Sequence, residues 1–552
     1  VMAFKIDLPE GRRRLMIESG LWNDVRLADV FAAAVADNPD GIAVSGVNSA
    51  TGEETRLTYA QFSRRVDRIA LGLVALGVGP GDVVSFQLPN WWQFGALAAA
   101  CARIGAVSNP LMPIFRQREL RLMLRFAESK VVVVPRTFRD FDHAGMLRGL
   151  LAEMEAGPRL FVVGGEGEES FEGFFLDRTR EEEQDAAGIF AERRPDADAL
   201  AQLMFTSGTS GEPKAVMHTS NTIVSSAREY ARWIGLTGED RVFMASPLAH
   251  QTGFIYGVVL SWLLKTRLAL QDIWSAPTAA HTIAAEGATF TMASTPFLSD
   301  LANNEAVTPE LMRTLRIFVC AGAPIPPEIV RRATGRLGFS VLSCWGMTEN
   351  GGVTITRPGD PPEKVFETDG KAIDGMEVRV VGADGRPLPP GETGDLMVRG
   401  MANFVGYLKR PELNDTDAQG WFRTGDLARM DADGYIRITG RSKDVIIRGG
   451  ENIPVVEIEN VLYRHPGVME AAIVAMPDPR LVERACAFVV PRPGHAIDLD
   501  GIRDFLKAEG VARNYWPERI EIVEAMPRTA SGKIQKFRLR EIASDFAGEA
   551  GA

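Results

Sequence analysis

The chain has 552 residues, more than one hydrophobic core usually organises, so two to four domains or subdomains are expected. Hydrophobic residues make up 45% and charged residues 24%, the composition of an ordinary globular protein. The 61 basic against 72 acidic residues leave −11, which excludes a general nucleic-acid partner because no broad surface would neutralise a phosphate backbone.

The opening "VMAFKIDLPEGRRRLMIESG" is basic but lacks the continuous apolar run of a signal peptide. Residues 82–90, 130–135 and 160–165 are short apolar runs closed by Pro, Asn or Gly, as buried strands are. Between them "WWQFGALAAACARIGA" predicts a helix ended by Gly105. Its apolar part, 94–106, is broken by Arg103 and too short for a bilayer, so no integral membrane segment is expected. Such alternation predicts open α/β sheets covered by helices. Residues 166–200 read as a solvated surface connection, because the acidic run is interrupted by aromatics and basic residues. A second α/β unit is expected over about 201–374, and from Gly375 strand signals with Asp384-Gly385 and Pro-Pro-Gly turns predict a small β subdomain. After Gly440 strand-helix alternation resumes for about 110 residues, enough for a terminal domain. Cys101, Cys320, Cys344 and Cys486 lie far apart, which predicts neither a zinc site nor a disulfide framework and suits a reducing, cytoplasmic setting.

"FTSGTSGEPKAVMHTS", beginning at Phe205, carries the first chemistry. Gly208 and Gly211 let backbone N–H groups turn inward, Thr206, Ser207, Thr209 and Ser210 add hydroxyl donors, and Lys214 adds a charge, a combination suited to a polyphosphate. The spacing is not that of a Walker loop. "CWGMTENGG" then ends a strand-like run with Thr348 and Glu349, the glutamate a candidate Mg²⁺ ligand. Asp426 can accept from ribose hydroxyls, Arg441 can reach phosphate or ribose, and Lys533 follows a glycine in "PRTASGKIQK".

These stretches, with "CAGAPIP", "WFRTGDL" and "GRSKDVIIRGGENIPVVEIE", occur in an order that resembles the AMP-forming adenylating superfamily of acyl-CoA synthetases, luciferases and adenylation domains. The resemblance covers about residues 27–542. It departs at Ser210, where Thr is common, at Ala215, where Gly is common, and at Trp345, where Tyr is frequent; the last puts a tyrosine-hydroxyl contact to nucleotide in doubt but keeps a flat stacking surface.

The resemblance implies a large N-terminal domain, residues 1–442, built of two α/β subdomains and a small β-barrel-like subdomain, followed by a small mobile α+β lid, residues 443–552. It implies ATP, Mg²⁺ and coenzyme A as cofactors and a carboxylic acid as substrate, activated as an acyl-AMP and passed to a thiol. Thr206 to Lys214 would hold the β and γ phosphates, Thr348 the α phosphate and Glu349 the metal; Gly322, Ala323 and Pro324 with Trp345 would line the adenine slot, Asp426 would bind the ribose, and Gly346 and Arg441 would belong to the ATP site, Arg441 reaching phosphate or ribose. Lys533 would be the electrophilic catalyst, Lys443 the hinge, and Gly449 and Gly450 the approach to the phosphopantetheine arm. His250, Gln251, Phe254, Gly257, Cys320, Ala321 and Met347 would form the acyl pocket, and Thr348, Glu349 and His250 join Lys533 as catalytic candidates, His250 as a wall or gate in preference to an acid–base group. An uncharged Gln251 offers no strong partner for an ammonium group, so a simple apolar acid is expected, medium-chain fatty or alicyclic such as cyclohexanecarboxylate. A stand-alone carrier-loading adenylation enzyme, a luciferase-like oxidative use of the adenylate and a non-catalytic adenylate binder are the alternatives. The context of Lys533 resembles that of acetylated catalytic lysines, which adds a lysine acetyltransferase and deacetylase as partners, and a homodimer is left open.

Overall fold

Two parallel-rich sheets form about the first two-thirds of the chain, each built from the apolar runs that the sequence interrupts with helices. The structure, a computed structural model, describes residues 6–206, 214–322, 325–441, 445–448, 451–478, 481–529 and 532–546. One sheet has six strands in the order Lys214–Thr219, Leu200–Thr206, Val107–Pro110, Val83–Phe86, Val131–Pro135, Arg159–Val163. Its pairings are parallel except for the hairpin of Leu200–Thr206 with Lys214–Thr219. Helix Trp92–Ile104 follows Val83–Phe86, is apolar nearly all round and accordingly buried, and ends at Gly105.

The other sheet has nine strands: Lys371–Ala372, Gly351–Ile355, Ser340–Met347, Ile317–Ala321, Phe290–Ala293, Val242–Met244, Leu268–Leu270, Ile42–Val47 and Glu54–Thr58. The six strands from Ser340–Met347 to Ile42–Val47 run parallel. The expected division into a first unit and a second unit starting near 201 is therefore corrected. The chain begins in the nine-stranded sheet with Ile42–Val47, and Leu200–Thr206 with Lys214–Thr219 return to close the six-stranded one. Strand partners are chosen by burial of apolar faces across the whole molecule, and order along the chain does not report them.

Residues 166–200 also differ from a simple solvated connection. Phe171 and Phe175 are fully buried, with ring centroids 5.1 Å apart, and Arg180 lies with its guanidinium 4.7 Å from the Phe174 ring. The phenylalanines of "SFEGFFLDR" carry too much apolar surface to stay in water, so they anchor the segment while most of its charges remain outside.

From Met376 the pattern becomes an antiparallel four-stranded sheet, Met376–Val381, Thr393–Gly400, Phe422–Met430 and Ile436–Arg441. Beyond it Ile446–Arg448, Glu451–Ile453, Val468–Asp478, Val482–Pro491 and Arg519–Ile522 make a separate sheet. Helices Val455–Leu462 and Leu499–Ala508 share one apolar cluster with this sheet, and helix Lys536–Asp545 shares a second. The four cysteines are free and buried, and among the described residues no helix is long and apolar enough to cross a membrane.

Candidate active site

In an open parallel sheet the loops that leave the strands' C-terminal ends gather at one edge, where ligands commonly bind. Here Ile317–Ala321 delivers Gly322, and its parallel neighbour Ser340–Met347 delivers the turn holding Thr348 and Glu349. The turn is tight because Ser340–Met347 folds straight back onto Gly351–Ile355, with a bulge at Trp345/Gly346. A Cβ at Gly346 would lie 1.8 Å from the Gly351 carbonyl oxygen, so only glycine permits this approach.

Three neighbours hold the turn. His218, buried on Lys214–Thr219, donates from Nε2 to the Thr348 carbonyl oxygen at 2.8 Å. Its pKa is lowered to about 4, chiefly by burial, so the ring is neutral and its Nδ1 pairs with Thr222 Oγ1 at 3.0 Å. The Phe404 N–H donates to the Glu349 carbonyl at 2.7 Å, and the Tyr407 hydroxyl donates to Glu349 Oε1 at 2.7 Å. Burial and the Glu349 charge raise the Tyr407 pKa, so the phenol keeps its proton and remains a donor. Among the described residues nothing donates to Glu349 Oε2. One buried carboxylate with a free oxygen fits Mg²⁺, which completes its octahedron from phosphate oxygens and water. Among the described residues no cluster of three or more His, Cys, Asp or Glu forms a full protein cage.

The described strands of the hairpin bearing the expected phosphate loop end with Thr206 opposite Lys214, and Lys214 Nζ lies 5.2 Å from the Tyr407 ring centroid. Ser207, Gly208, Thr209, Ser210 and Gly211 lie outside the described residues, as do Ala323, Pro324, Lys443, Gly449 and Gly450.

On the four-stranded sheet Asp426 is paired in register with Arg441, whose Nε donates to Asp426 Oδ1 at 2.9 Å. Trp345 Nε1–H donates to Asp426 Oδ2 at 2.8 Å, so the tryptophan contributes a hydrogen bond as well as a flat ring. Lys533 reaches the same place from the C-terminal sheet's side of the molecule. The position a Cβ would take on Gly322 is 3.6 Å from Lys533 Cε, and a Cβ on Gly532 would meet Ser294 Oγ at 2.8 Å. Burial first, and then Arg441, lower the Lys533 pKa, while Asp426 and Glu349 act in the opposite sense. Burial and the Lys533 charge hold the His250 pKa at about 3. Its Nδ1 accepts from the Thr252 N–H at 3.2 Å, which leaves a neutral ring with its proton on Nε2. His250, Glu349, Asp426, Arg441 and Lys533 thus share one electrostatic neighbourhood.

A family model for the AMP-binding enzyme matches residues 31–408, and one for the AMP-binding enzyme C-terminal domain matches 457–533. The chain belongs to the AMP-binding enzyme family. It is 37% identical over 550 residues to the medium-chain fatty-acid–CoA ligase of Escherichia coli (strain K12), covering 98% of this chain and 94% of that one. It is 34% identical to a salicylyl-CoA synthase / salicylate adenylyltransferase of a Streptomyces species, covering 95% of each. Among solved structures it is similar to ATP-bound MatB from Rhodopseudomonas palustris, with a TM-score of 0.81 and 27% identity over 95% of this chain and 100% of that one. Membership makes the protein an adenylate-forming acid ligase that uses ATP with Mg²⁺, the acceptor thiol being coenzyme A in the acyl-CoA synthetases of the family.

In this AMP-binding enzyme the expected acyl-pocket residues do not all come together. Ala321 and Trp345 belong to the apolar cluster between the sheets, with Met347 packed against it. Cys320 points to the opposite face of its strand, in a cluster with Phe297 and Phe318, its thiol 3.6 Å from Thr295 Oγ1. Ala321 and Cys320 therefore face different clusters, because successive residues of a strand face opposite sides. Phe254 is buried edge-on to Phe94, 6.5 Å between centroids, and Met244 Cγ lies 3.1 Å from where a Cβ would stand on Gly257. Gln251 donates from Nε2 to Gln202 Oε1 at 2.8 Å, and among the described residues Gln251 Oε1 and Gln202 Nε2 have no partner. Sequence reasoning missed His218, Gln202 and Tyr407. His218 lies four residues beyond Lys214, an even spacing along a strand that could have placed both on one face. Tyr407 is 58 residues from Glu349, and no local pattern reports that contact.

Proposed function

We propose that the chain joins a simple apolar carboxylic acid, medium-chain fatty or alicyclic, to coenzyme A through an acyl-AMP, releasing pyrophosphate and then AMP. The strongest support is the placing of Lys533 against Gly322 within electrostatic reach of Glu349 and Asp426, because a cation on a flexible stem beside the phosphates is what adenylation requires. A carboxylate is already a nucleophile, so the protein's work is to bring two anions together and stabilise charge developing at phosphorus. In this reading Lys214 and the loop before it hold the outer phosphates, Thr348 the α phosphate, and Asp426 the ribose. Glu349 holds Mg²⁺, which when bound offsets phosphate charge. Lys533 bridges the acid carboxylate and the α phosphate. His250, neutral and beside Lys533, walls the acid from water.

Lys533 must then leave so that the thiol can approach, and we assign the rotation to residues 443–552 about Lys443, with Gly449 and Gly450 meeting the phosphopantetheine arm. Acetylation of Lys533 removes its charge and stops adenylation, while transfer from supplied acyl-adenylate continues. Mass spectrometry that found a stoichiometrically acetylated yet fully adenylating protein would overturn that part.

A second reading, an aryl acid passed to CoA or a carrier protein, is favoured by the salicylate-activating relative and by the amide atoms of Gln202 and Gln251 that lack a partner among the described residues, which suit a hydroxyl-bearing acid. Pyrophosphate release with ATP, Mg²⁺ and CoA across straight-chain, alicyclic and hydroxylated aromatic acids, with thioester measured in parallel, separates the two. Highest turnover on octanoate or cyclohexanecarboxylate with matched acyl-CoA supports the first reading. A salicylate optimum, or pyrophosphate without acyl-CoA, overturns it.

A further inference from the structure

We infer that Tyr407 is a positioning residue for the metal: its hydroxyl fixes the Glu349 carboxylate so that the other oxygen meets Mg²⁺, and it ties that carboxylate to Lys214 of the phosphate loop. The inference rests on the reading of Glu349 as the metal ligand.

The backbone sets this up. Residues 404–408 lie along the strand Lys214–Thr219 as an added edge: Leu408 N–H donates to the Ala215 carbonyl at 2.9 Å, Met217 N–H to the Gly406 carbonyl at 3.0 Å, and Val405 N–H to the Met217 carbonyl at 3.0 Å. Val216 and Tyr407 are bridge partners. This lacing carries Tyr407 beneath the end of the phosphate-loop hairpin, with Lys214 Nζ 5.2 Å from its ring centroid. Its hydroxyl then meets Glu349 Oε1 at 2.7 Å, while Phe404 N–H holds the Glu349 carbonyl at 2.7 Å. Segment 404–408 therefore grips both the backbone and the side chain of Glu349.

The ring is held independently of the hydroxyl. Phe404 stands edge-on to it with centroids 4.8 Å apart, and Val216 and Phe422 complete the cluster. Tyr407→Phe accordingly keeps the packing and the face offered to Lys214, and removes only the donor. A carboxylate that loses such a partner turns freely between rotamers and gives up part of its metal affinity, typically about 10- to 100-fold.

The test uses the full-length chain with Mn²⁺ and ATP, bound Mn²⁺ being read by electron paramagnetic resonance without any acid present. Tyr407→Phe is expected to weaken Mn²⁺ binding to the ATP complex about tenfold or more, and to raise the Mg²⁺ concentration that half-saturates pyrophosphate release by a similar factor. Affinity for metal-free ATP and the KM for the acid are expected to stay within about twofold, which a general loss of structure would not allow. Glu349→Gln is measured alongside. If Glu349→Gln weakens Mn²⁺ binding and Tyr407→Phe leaves it unchanged, the role given to Tyr407 is wrong. If neither variant alters Mn²⁺ binding, the assignment of Glu349 fails and the inference falls with it.

Discussion

Lys533 and His218 show how differently two buried nitrogen bases can serve one site. Lys533 lies against Gly322 within electrostatic reach of Glu349 and Asp426, and in the proposed function its removal would delete the electrophile of adenylation alone. Lys533→Ala is expected to slow pyrophosphate formation by about 10²- to 10³-fold, with transfer from supplied acyl-adenylate to CoA nearly unchanged; rapid-quench assays of each half-reaction check both. His218 is uncharged and acts through the Thr348 carbonyl. His218→Phe leaves that carbonyl unpaired, which is expected to cost about 1–3 kcal/mol of stability in urea unfolding and to raise the KM for ATP more than that for the acid. Lys533 stood out in the sequence because a lysine after a glycine in "PRTASGKIQK" completes a run of ordered stretches, and its role remains part of the proposed function. His218 did not stand out, because a histidine on an apolar strand looks the same whether it braces a site or fills a core.

Among the elements, the hairpin Ser340–Met347/Gly351–Ile355 places most chemistry per residue. Gly346 lets its two strands close directly after the last parallel pairing, which thrusts Thr348 and Glu349 out at the sheet's edge. Gly346→Ala is expected to lose at least about 1–3 kcal/mol, the range for overpacking, and to weaken ATP binding as the turn shifts; denaturant titration and isothermal calorimetry measure the two. The strand runs at 130–135 and 160–165 and the helix ending at Gly105 were readable from alternation and punctuation. The facing of Cys320 was not legible, since a buried parallel strand is apolar on both sides and its sequence does not mark which cluster each residue joins.

For the whole molecule, docking of the Lys533 loop depends on Gly532 lying against Ser294 at a φ of 84°. A Cβ there meets both the left-handed strain and the Ser294 hydroxyl, so Gly532→Ala is expected to disfavour the docked arrangement. Adenylation should fall severalfold while transfer from supplied acyl-adenylate holds, and equal loss of both would argue against separate arrangements for the two steps. Stability should also respond to pH through buried imidazoles. His143, His218 and His250 have pKa values lowered to about 4, about 4 and about 3, chiefly by burial, against 6.5 for the free side chain. The unfolded chain therefore binds more protons between those limits. Their contribution is complete above about pH 6.5 and is lost as pH falls towards 4, by at most about 1.4 kcal/mol per pH unit for each. Urea midpoints measured from pH 7.5 to 5 should decline, and His143→Gln, away from the nucleotide edge, should flatten the slope.

By itself the sequence determined the α/β class, the places of most strands and helices, and the family, because turn chemistry, apolar periodicity and contiguous loops are local properties of the chain. Only the tertiary structure decided that the two sheets exchange segments, that phenylalanines at 171 and 175 anchor an acidic stretch, and that Tyr407 and His218 brace Glu349 and Thr348. Those choices depend on which apolar faces and buried donors find partners across tens to hundreds of residues, and such pairings are settled by burial and hydrogen-bond satisfaction in three dimensions.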